Sequence, residues 1–262
     1  MTAHVMFVHS TGTGPQMWQA LAQTLPEGLQ PLTPVNLGYS PQAPLQLPAD
    51  GRFQLQHEVD HLRRQVPEDV SALHLVAHSY GAAVALMLAQ DPSLPVASMW
   101  LYEPTVFAAL RQLPPEGLPA DVAAQLQLLY GEASPLMDDG LQGSDTWLQH
   151  FIDYWNGPGT WAAVPERVRQ GARSVGPKMF HEVQALSTQA PAFGELKHPA
   201  PTTFVHGETT QPPARHMVQQ LAQVNPHAQL DVLQGLGHMG LVGTPQPVRD
   251  SLAAHWARVL GS

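Results

Sequence analysis

One stretch decides the fold: Leu73-His74-Leu75-Val76-Ala77-His78-Ser79-Tyr80-Gly81-Ala82-Ala83. Its first half is a short apolar run of the kind that forms a buried strand, and its second half continues as the small, apolar residues of a helix. Between them stands one serine, with Ala77 two residues before it and Gly81 two residues after. A strand that passes directly into a helix must turn sharply, and so sharp a turn accepts only small neighbours. A serine hydroxyl is a weak nucleophile until it is exposed on such a turn, beside a base and facing backbone N–H donors. Ser79 is therefore a candidate nucleophile, although taken alone it also reads as a helix N-cap.

Outward from this stretch, strands and helices alternate. Val5 to Val8 reads as a buried strand ending in the small-residue loop His9-Ser10-Thr11-Gly12-Thr13-Gly14, followed by a helix with Trp18, Leu21, Ala22 and Leu25 on one face. A short strand near Gln30 to Val35 opens into Asn36-Leu37-Gly38-Tyr39-Ser40-Pro41 and a proline-rich loop reaching Gly51. Helical spacing runs from 54 to 66, the strand Leu73–Ala77 follows, and a helix covers 80 to 90. Val96 to Tyr102 is a further strand, closed by Glu103-Pro104. Residues 105 to 197 change texture, being helix-like and rich in aromatic clusters such as Phe151-Ile152-Asp153-Tyr154-Trp155 and Trp161. Alternation then resumes with a strand at Thr202 to His206, a helix near 212 to 224 and a strand at Gln229 to Leu233. The loop Gly235-Leu236-Gly237-His238-Met239-Gly240 and a last helix from Pro247 to Leu260 complete the pattern. Such alternation builds an α/β fold with a mostly parallel sheet covered on both faces. The expected organisation is a core of residues 1–104 and 198–262, with 105–197 inserted over the strand ends as a helical cap.

Composition narrows the function. The chain of 262 residues is long enough for one large α/β domain, and 44% of it is hydrophobic. A net charge of −9 with 12 Lys and Arg residues argues against a nucleic-acid partner, which needs a positive surface. No apolar run approaches the length of a membrane span, and the first residues lack the pattern of a signal peptide, so a soluble cytoplasmic protein with a small-molecule substrate is expected. Oligomeric state is unreadable. Without cysteine there is neither a disulfide nor a thiolate nucleophile. His74 and His78 are four apart on a strand, which is not the geometry of a metal pair, and no metal is expected. Gly12-Thr13-Gly14 lacks the lysine of a P-loop and the third glycine of a dinucleotide fingerprint, so no cofactor is expected.

In open α/β sheets ligands gather at the carboxyl ends of the strands. Three groups fall there in the chain order Ser79, Glu103, His238. With the elbow Ala77-His78-Ser79-Tyr80-Gly81, the loop His9-Ser10-Thr11-Gly12 after the first strand and Gly237-His238 after the last, the sequence resembles the α/β-hydrolases over nearly its whole length. The middle block, with Phe151 to Gly159 and Trp161, looks like the cap of bacterial members. Ala77 departs from the glycine usual at its position, and Ser10 stands where many members have glycine. The first strand begins so early that the one or two strands usually preceding it are missing, which puts the sheet closer to six strands than eight.

The resemblance implies a serine hydrolase acting on an ester, thioester, lactone or related carbonyl. Ser79 would be its nucleophile, His238 its general base, and the backbone amides of Thr11 and Tyr80 its oxyanion donors. Two carboxylates compete for the acid. Glu208, in His206-Gly207-Glu208, lies close to its strand end, whereas Glu103 ends the strand after the nucleophile, as a glutamate does in haloalkane dehalogenases and other relatives. Glu103 is preferred, with Glu208 as the alternative. Ser10, Tyr102, Trp155 and Met239 are candidates for the substrate pocket, although aromatics at these spacings more often form ordinary cap core. Plant hydroxynitrile lyases also begin abruptly and place a hydroxyl residue after the oxyanion-loop histidine, making a carbon–carbon lyase the runner-up. Those lyases have a lysine after the catalytic histidine, where this chain has Met239. The third reading is a receptor that keeps the pocket and binds without turnover.

Overall fold

The computed structural model describes residues 2–48 and 51–261, so residues 49 and 50 of the proline-rich loop lie outside the described residues. β1 (Thr2–Val8) starts three residues earlier than its apolar core suggests. A 3-10 turn at Pro15–Trp18 and the short α1 (Gln19–Ala22) replace the single helix expected there, yet Trp18 and Leu21 are still the residues buried. β2 (Leu29–Leu32) follows, then the two-residue strands β3 (Tyr39–Ser40) and β4 (Ala43–Pro44), which pair with each other. α2 (Leu55–Arg63) buries Leu55, Val59 and Leu62. β5 (Val70–His78) runs into α3 (Tyr80–Leu88) across Ser79 alone. β6 (Val96–Tyr102) completes the first half.

The main sheet has the order β2-β1-β5-β6, continued by β7 (Thr202–Gly207) and β8 (Gln229–Leu233), and all five of its pairings are parallel. The long apolar run decides the interior position of β5: a strand buried on both faces belongs between two others. Side chains alternate between two cores, with Leu75 and Ala77 on one face and Val76 on the other. α2, α3 and α9 (Pro212–Val224) cover the first face, while α1 and α10 (Gln246–Leu260) cover the second with Trp18, Val248, Leu252 and Trp256. The sheet of six strands and its flanking helices agree with the α/β class read from the sequence.

Between β6 and β7 the chain is helical. It forms α4 (Phe107–Arg111), α5 (Ala120–Tyr130), α6 (Asp145–Asn156), α7 (Thr160–Ala163) and the 23-residue α8 (Glu166–Thr188). Trp147 is fully buried among these helices, stacked on Phe151 and edge-on to Phe180. Among the described residues no helix is long and apolar enough to cross a membrane.

Candidate active site

Ser79 sits in a backbone conformation that non-glycine residues rarely adopt, φ 54° and ψ −119°. Its amide donates to the Tyr102 carbonyl at 2.9 Å, and α3 begins at the next residue. The small neighbours hold this turn against the first strand. A Cβ on Gly81 would lie 2.5 Å from the His9 carbonyl oxygen and 2.6 Å from that of Val8. The Ser79 side chain caps nothing, although it occupies the N-cap position. Its hydroxyl is instead 2.9 Å from His238 Nε2.

His238 lies on the loop after β8, and its Nδ1 is 2.6 Å from Glu103 Oε2. A carboxylate only accepts, so Nδ1 carries the proton and donates it to Glu103. Nε2 is then left as the acceptor for the Ser79 hydroxyl. Glu103 turns off the end of β6 with φ 47° and is completely buried. Two further donors fix its carboxylate: Gly207 N–H to Oε1 at 2.8 Å and the Thr210 hydroxyl to Oε2 at 2.6 Å. Glu208 is exposed and accepts from the Gly235 amide at 2.9 Å, while Glu103 holds the contact with His238.

Two contacts of His238 were not foreseen in the sequence, one from His78 and one from Trp155, which was expected only as a pocket residue. His78, set aside as a non-metal histidine, donates from Nε2 to the His238 carbonyl at 2.9 Å, with the ring centroids 4.9 Å apart. Burial pushes the His78 pKa well below the usual histidine value, which keeps it neutral for that bond. Trp155, from α6, stacks on the imidazole of His238 at 3.8 Å between centroids and 26° between planes.

Two cavities meet at Ser79. The first is narrow and mostly apolar, lined by Phe107, Leu129, Leu136, Val183 and Leu186 among others. The second is roomier and has Ser10, Thr11 and Thr13 on its wall, together with His238 and Met239. Thr11, Ser79, Phe151 and Trp155 line both. Tyr102, expected at the pocket, is not among the residues lining either cavity: it is fully buried under the His238 loop, where its hydroxyl donates to the Gly237 carbonyl at 2.7 Å. Among the described residues no group of three His, Cys, Asp or Glu side chains has the geometry to hold a metal ion.

Behind the His9–Thr13 loop lies a buried ion cluster that the sequence does not announce. Lys178 of α8 donates to Glu58 of α2 and to Glu182, both at 2.8 Å, with all three side chains almost wholly excluded from solvent. The Tyr80 hydroxyl donates to Glu58 at 2.9 Å, and the Leu37 amide does so at 2.7 Å. Tyr39 connects this cluster to the loop: its hydroxyl donates to Glu182 at 2.9 Å and accepts from the Gly12 amide at 2.8 Å. Burial raises the pKa of Glu182 and of both phenols, so Tyr39 and Tyr80 stay protonated. Next to the cluster, His9 accepts from the Asn36 amide at 3.0 Å, and burial lowers its pKa to about 4.

The fold is shared with many solved structures. MenH from S. aureus superposes with a TM-score of 0.68 at 15% identity, covering 99% of this chain and 96% of that one. A carboxylesterase of the thaumarchaeon Nitrososphaera gargenis gives a TM-score of 0.63 at 16% identity, with 99% and 92% covered. A thermophilic esterase from Thermogutta terrifontis, solved with malate bound, gives 0.66 at 15% identity, with 99% and 91% covered. No curated protein matches the sequence. A sequence model of the alpha/beta hydrolase family matches residues 5–251, nearly the whole chain. With an elbow serine, a histidine after the last strand and the six-stranded parallel sheet between them, the chain belongs to the alpha/beta hydrolase family.

Proposed function

We propose that the protein hydrolyses an ester, thioester, lactone or related carbonyl compound without a cofactor, with Ser79 as nucleophile, His238 as general base and Glu103 orienting the imidazole. The observation that carries this reading is the unbroken chain from Ser79 Oγ through the two nitrogens of His238 to Glu103, with bonds of 2.9 and 2.6 Å. Ser79 Oγ attacks the carbonyl carbon while its proton passes to His238 Nε2. Negative charge gathers on the carbonyl oxygen, and we assign the Tyr80 and Thr11 amides as its donors. Tyr80 opens α3, where N–H groups lack helical acceptors and the helix dipole favours an anion. The imidazolium is stabilised by Glu103 on one edge and by the stacked face of Trp155.

His238 then gives its proton to the leaving atom as the bond to the carbonyl carbon breaks. Water, deprotonated by the same nitrogen, attacks the acyl–Ser79 ester; the acid departs and the proton returns to Ser79. Residues 105–197 serve as the cap, since α5, α6 and α8 supply much of the lining of the apolar cavity. Two of the similar structures described above are esterases, which agrees with this chemistry.

The test is covalent labelling by a fluorophosphonate probe, with the modified residue located by peptide mass. Labelling at Ser79, lost in Ser79→Ala along with esterase activity while the thermal unfolding midpoint is kept, is the expected result. A folded wild type that resists the probe would remove this mechanism and favour a non-hydrolytic receptor.

A further inference from the structure

Two cavities flank Ser79, and the mechanism distinguishes between them. His238 must hand its proton to the leaving group, so the leaving group occupies the cavity that His238 lines. The acyl group, which stays on Ser79, then occupies the other cavity, where His238 is not among the lining residues. This assignment rests on the acylation of Ser79 proposed above.

The chemistry of the two walls differs. The acyl side is built from aliphatic and aromatic side chains of the helical block, among them Leu129, Leu136, Val183 and Leu186. Its polar exceptions besides Ser79 are neutral: Thr11, which borders both cavities; the buried hydroxyls of Thr105 and Tyr154, which have no hydrogen-bond partner among the described residues; and that of Tyr130, bonded to Ser187 at 2.8 Å. The leaving-group side carries Ser10, Thr11, Thr13 and Asn156 as its polar residues besides Ser79 and His238, with the Ser10 and Thr13 hydroxyls 3.1 Å apart and that of Thr13 donating to the Ser10 carbonyl at 2.9 Å. Gly12 and Thr13 also border an open surface groove whose polar side chains include Gln16, Gln19, Gln23 and Thr244. Although the protein carries a net charge of −9, among the described residues no Lys, Arg, Asp or Glu side chain lines either cavity or the groove. The ionic groups nearest the loop are paired with one another behind it, in the cluster of Glu58, Lys178 and Glu182.

We propose that the substrate is uncharged at both ends: an ester with an apolar acyl group on the slot side and a neutral, hydrogen-bonding alcohol, such as a polyol, on the His238 side. A charge on the acyl group would be stripped of water without a counter-ion in the slot. A charge on the leaving group would meet neutral polar residues and the apolar side chains of Phe151, Ile152, Trp155 and Met239, with no Asp, Glu, Lys or Arg to balance it, so neither coenzyme A thioesters nor choline esters fit. Acylation of Ser79 by such an ester forms the Ser79 Oγ–acyl bond and breaks the acyl–alkoxy bond, with the Ser79 proton leaving on the alcohol through His238.

Two matched panels test this. Glyceryl monobutyrate, butyrylcholine and butyryl-coenzyme A share an acyl group and differ in leaving-group charge; methyl butyrate and monomethyl succinate share a leaving group and differ in acyl charge. With rates corrected for reactivity toward hydroxide, kcat/KM for each neutral compound is expected to exceed that of its charged counterparts by roughly a hundredfold. Discrimination under about tenfold on either side overturns the proposal, because a pocket without a counter-ion cannot tolerate the charge so well. Leu186→Ala assigns the sides: it is expected to move the acyl optimum toward longer chains and leave the order of leaving groups unchanged, and the reverse pattern overturns the assignment. Labelling of Ser79 without turnover of the neutral esters sinks the substrate class and spares the hydrolase reading. Absence of labelling sinks both.

Discussion

Glu103 closes β6 in a left-handed conformation that a glutamate does not adopt without support, and that turn brings its carboxylate to His238. Its amide donates to the Val205 carbonyl at 2.8 Å, and Gly207 and Thr210 hold the carboxylate from the next strand and loop. Glu103→Gln is expected to lower kcat by about 10²–10⁴-fold, because an amide does not select the imidazole tautomer as a carboxylate does. Glu208→Gln is expected to stay within about twofold, since that side chain contacts the backbone of an exposed turn. Steady-state rates on a p-nitrophenyl ester check both, and a large loss in Glu208→Gln would reassign the acid. At the elbow, Gly81→Ala drives a Cβ into two backbone carbonyls and is expected to cost about 1–3 kcal/mol in urea unfolding. Ser79 and His238 were legible as candidates from the chain order of strand ends, and Glu103 only as the preferred of two carboxylates. The contacts of His78 and Trp155 with His238 were not, because they depend on which loop and which helix settle over that ring.

At the scale of elements, α8 does more than cover the site. Its Lys178 and Glu182 stand one turn apart, a spacing that in a sequence reads as a solvated pair on an exposed helix face. Packing against α2 and α3 instead buries both and adds Glu58. Lys178→Met would leave two carboxylates facing each other without a cation, and a loss of about 3–5 kcal/mol in urea unfolding is expected. Tyr39→Phe is the milder probe: it keeps the ion pairs and removes the hydroxyl that accepts from Gly12 N–H. That amide follows Thr11 in the loop, so the loop loses its fixed orientation; kcat should fall about tenfold with KM within about twofold. If stability drops and kcat does not, the cluster supports the fold without tuning the loop.

For the whole molecule, the neutral buried histidines set a pH dependence. His9 accepts from Asn36 N–H through Nε2, which excludes a proton there, and burial lowers its pKa from 6.5 to about 4. His255, buried between Ser98 and Thr203, is lowered to about 3 for the same reason. The unfolded chain takes up these protons first, so the contribution to stability is complete above pH 6.5 and is lost as pH falls toward those lower values. For His9 the shift amounts to about 3 kcal/mol between pH 6.5 and 4, and His9→Gln should flatten that part of the curve in denaturant titrations at each pH.

The sequence alone determined the succession of strands and helices, the strand-to-helix turn at Ser79 and the histidine after the last strand. Each of these is local, expressed as a run of apolar residues, a pair of small neighbours or a glycine-flanked loop, and each survives in the observed sheet. The boundaries of β6, α9 and β8 agree within a residue or two for that reason. The tertiary structure decided which carboxylate meets His238, what lies beneath the Ser10–Thr13 loop, and which aromatic covers the imidazole. Those choices bring together side chains separated by as many as 143 residues, as in the Tyr39–Glu182 bond, and their burial comes from helices packing across the sheet. Sequence spacing carries no record of such contacts, because the free energy that fixes them is released only when distant elements exclude water together.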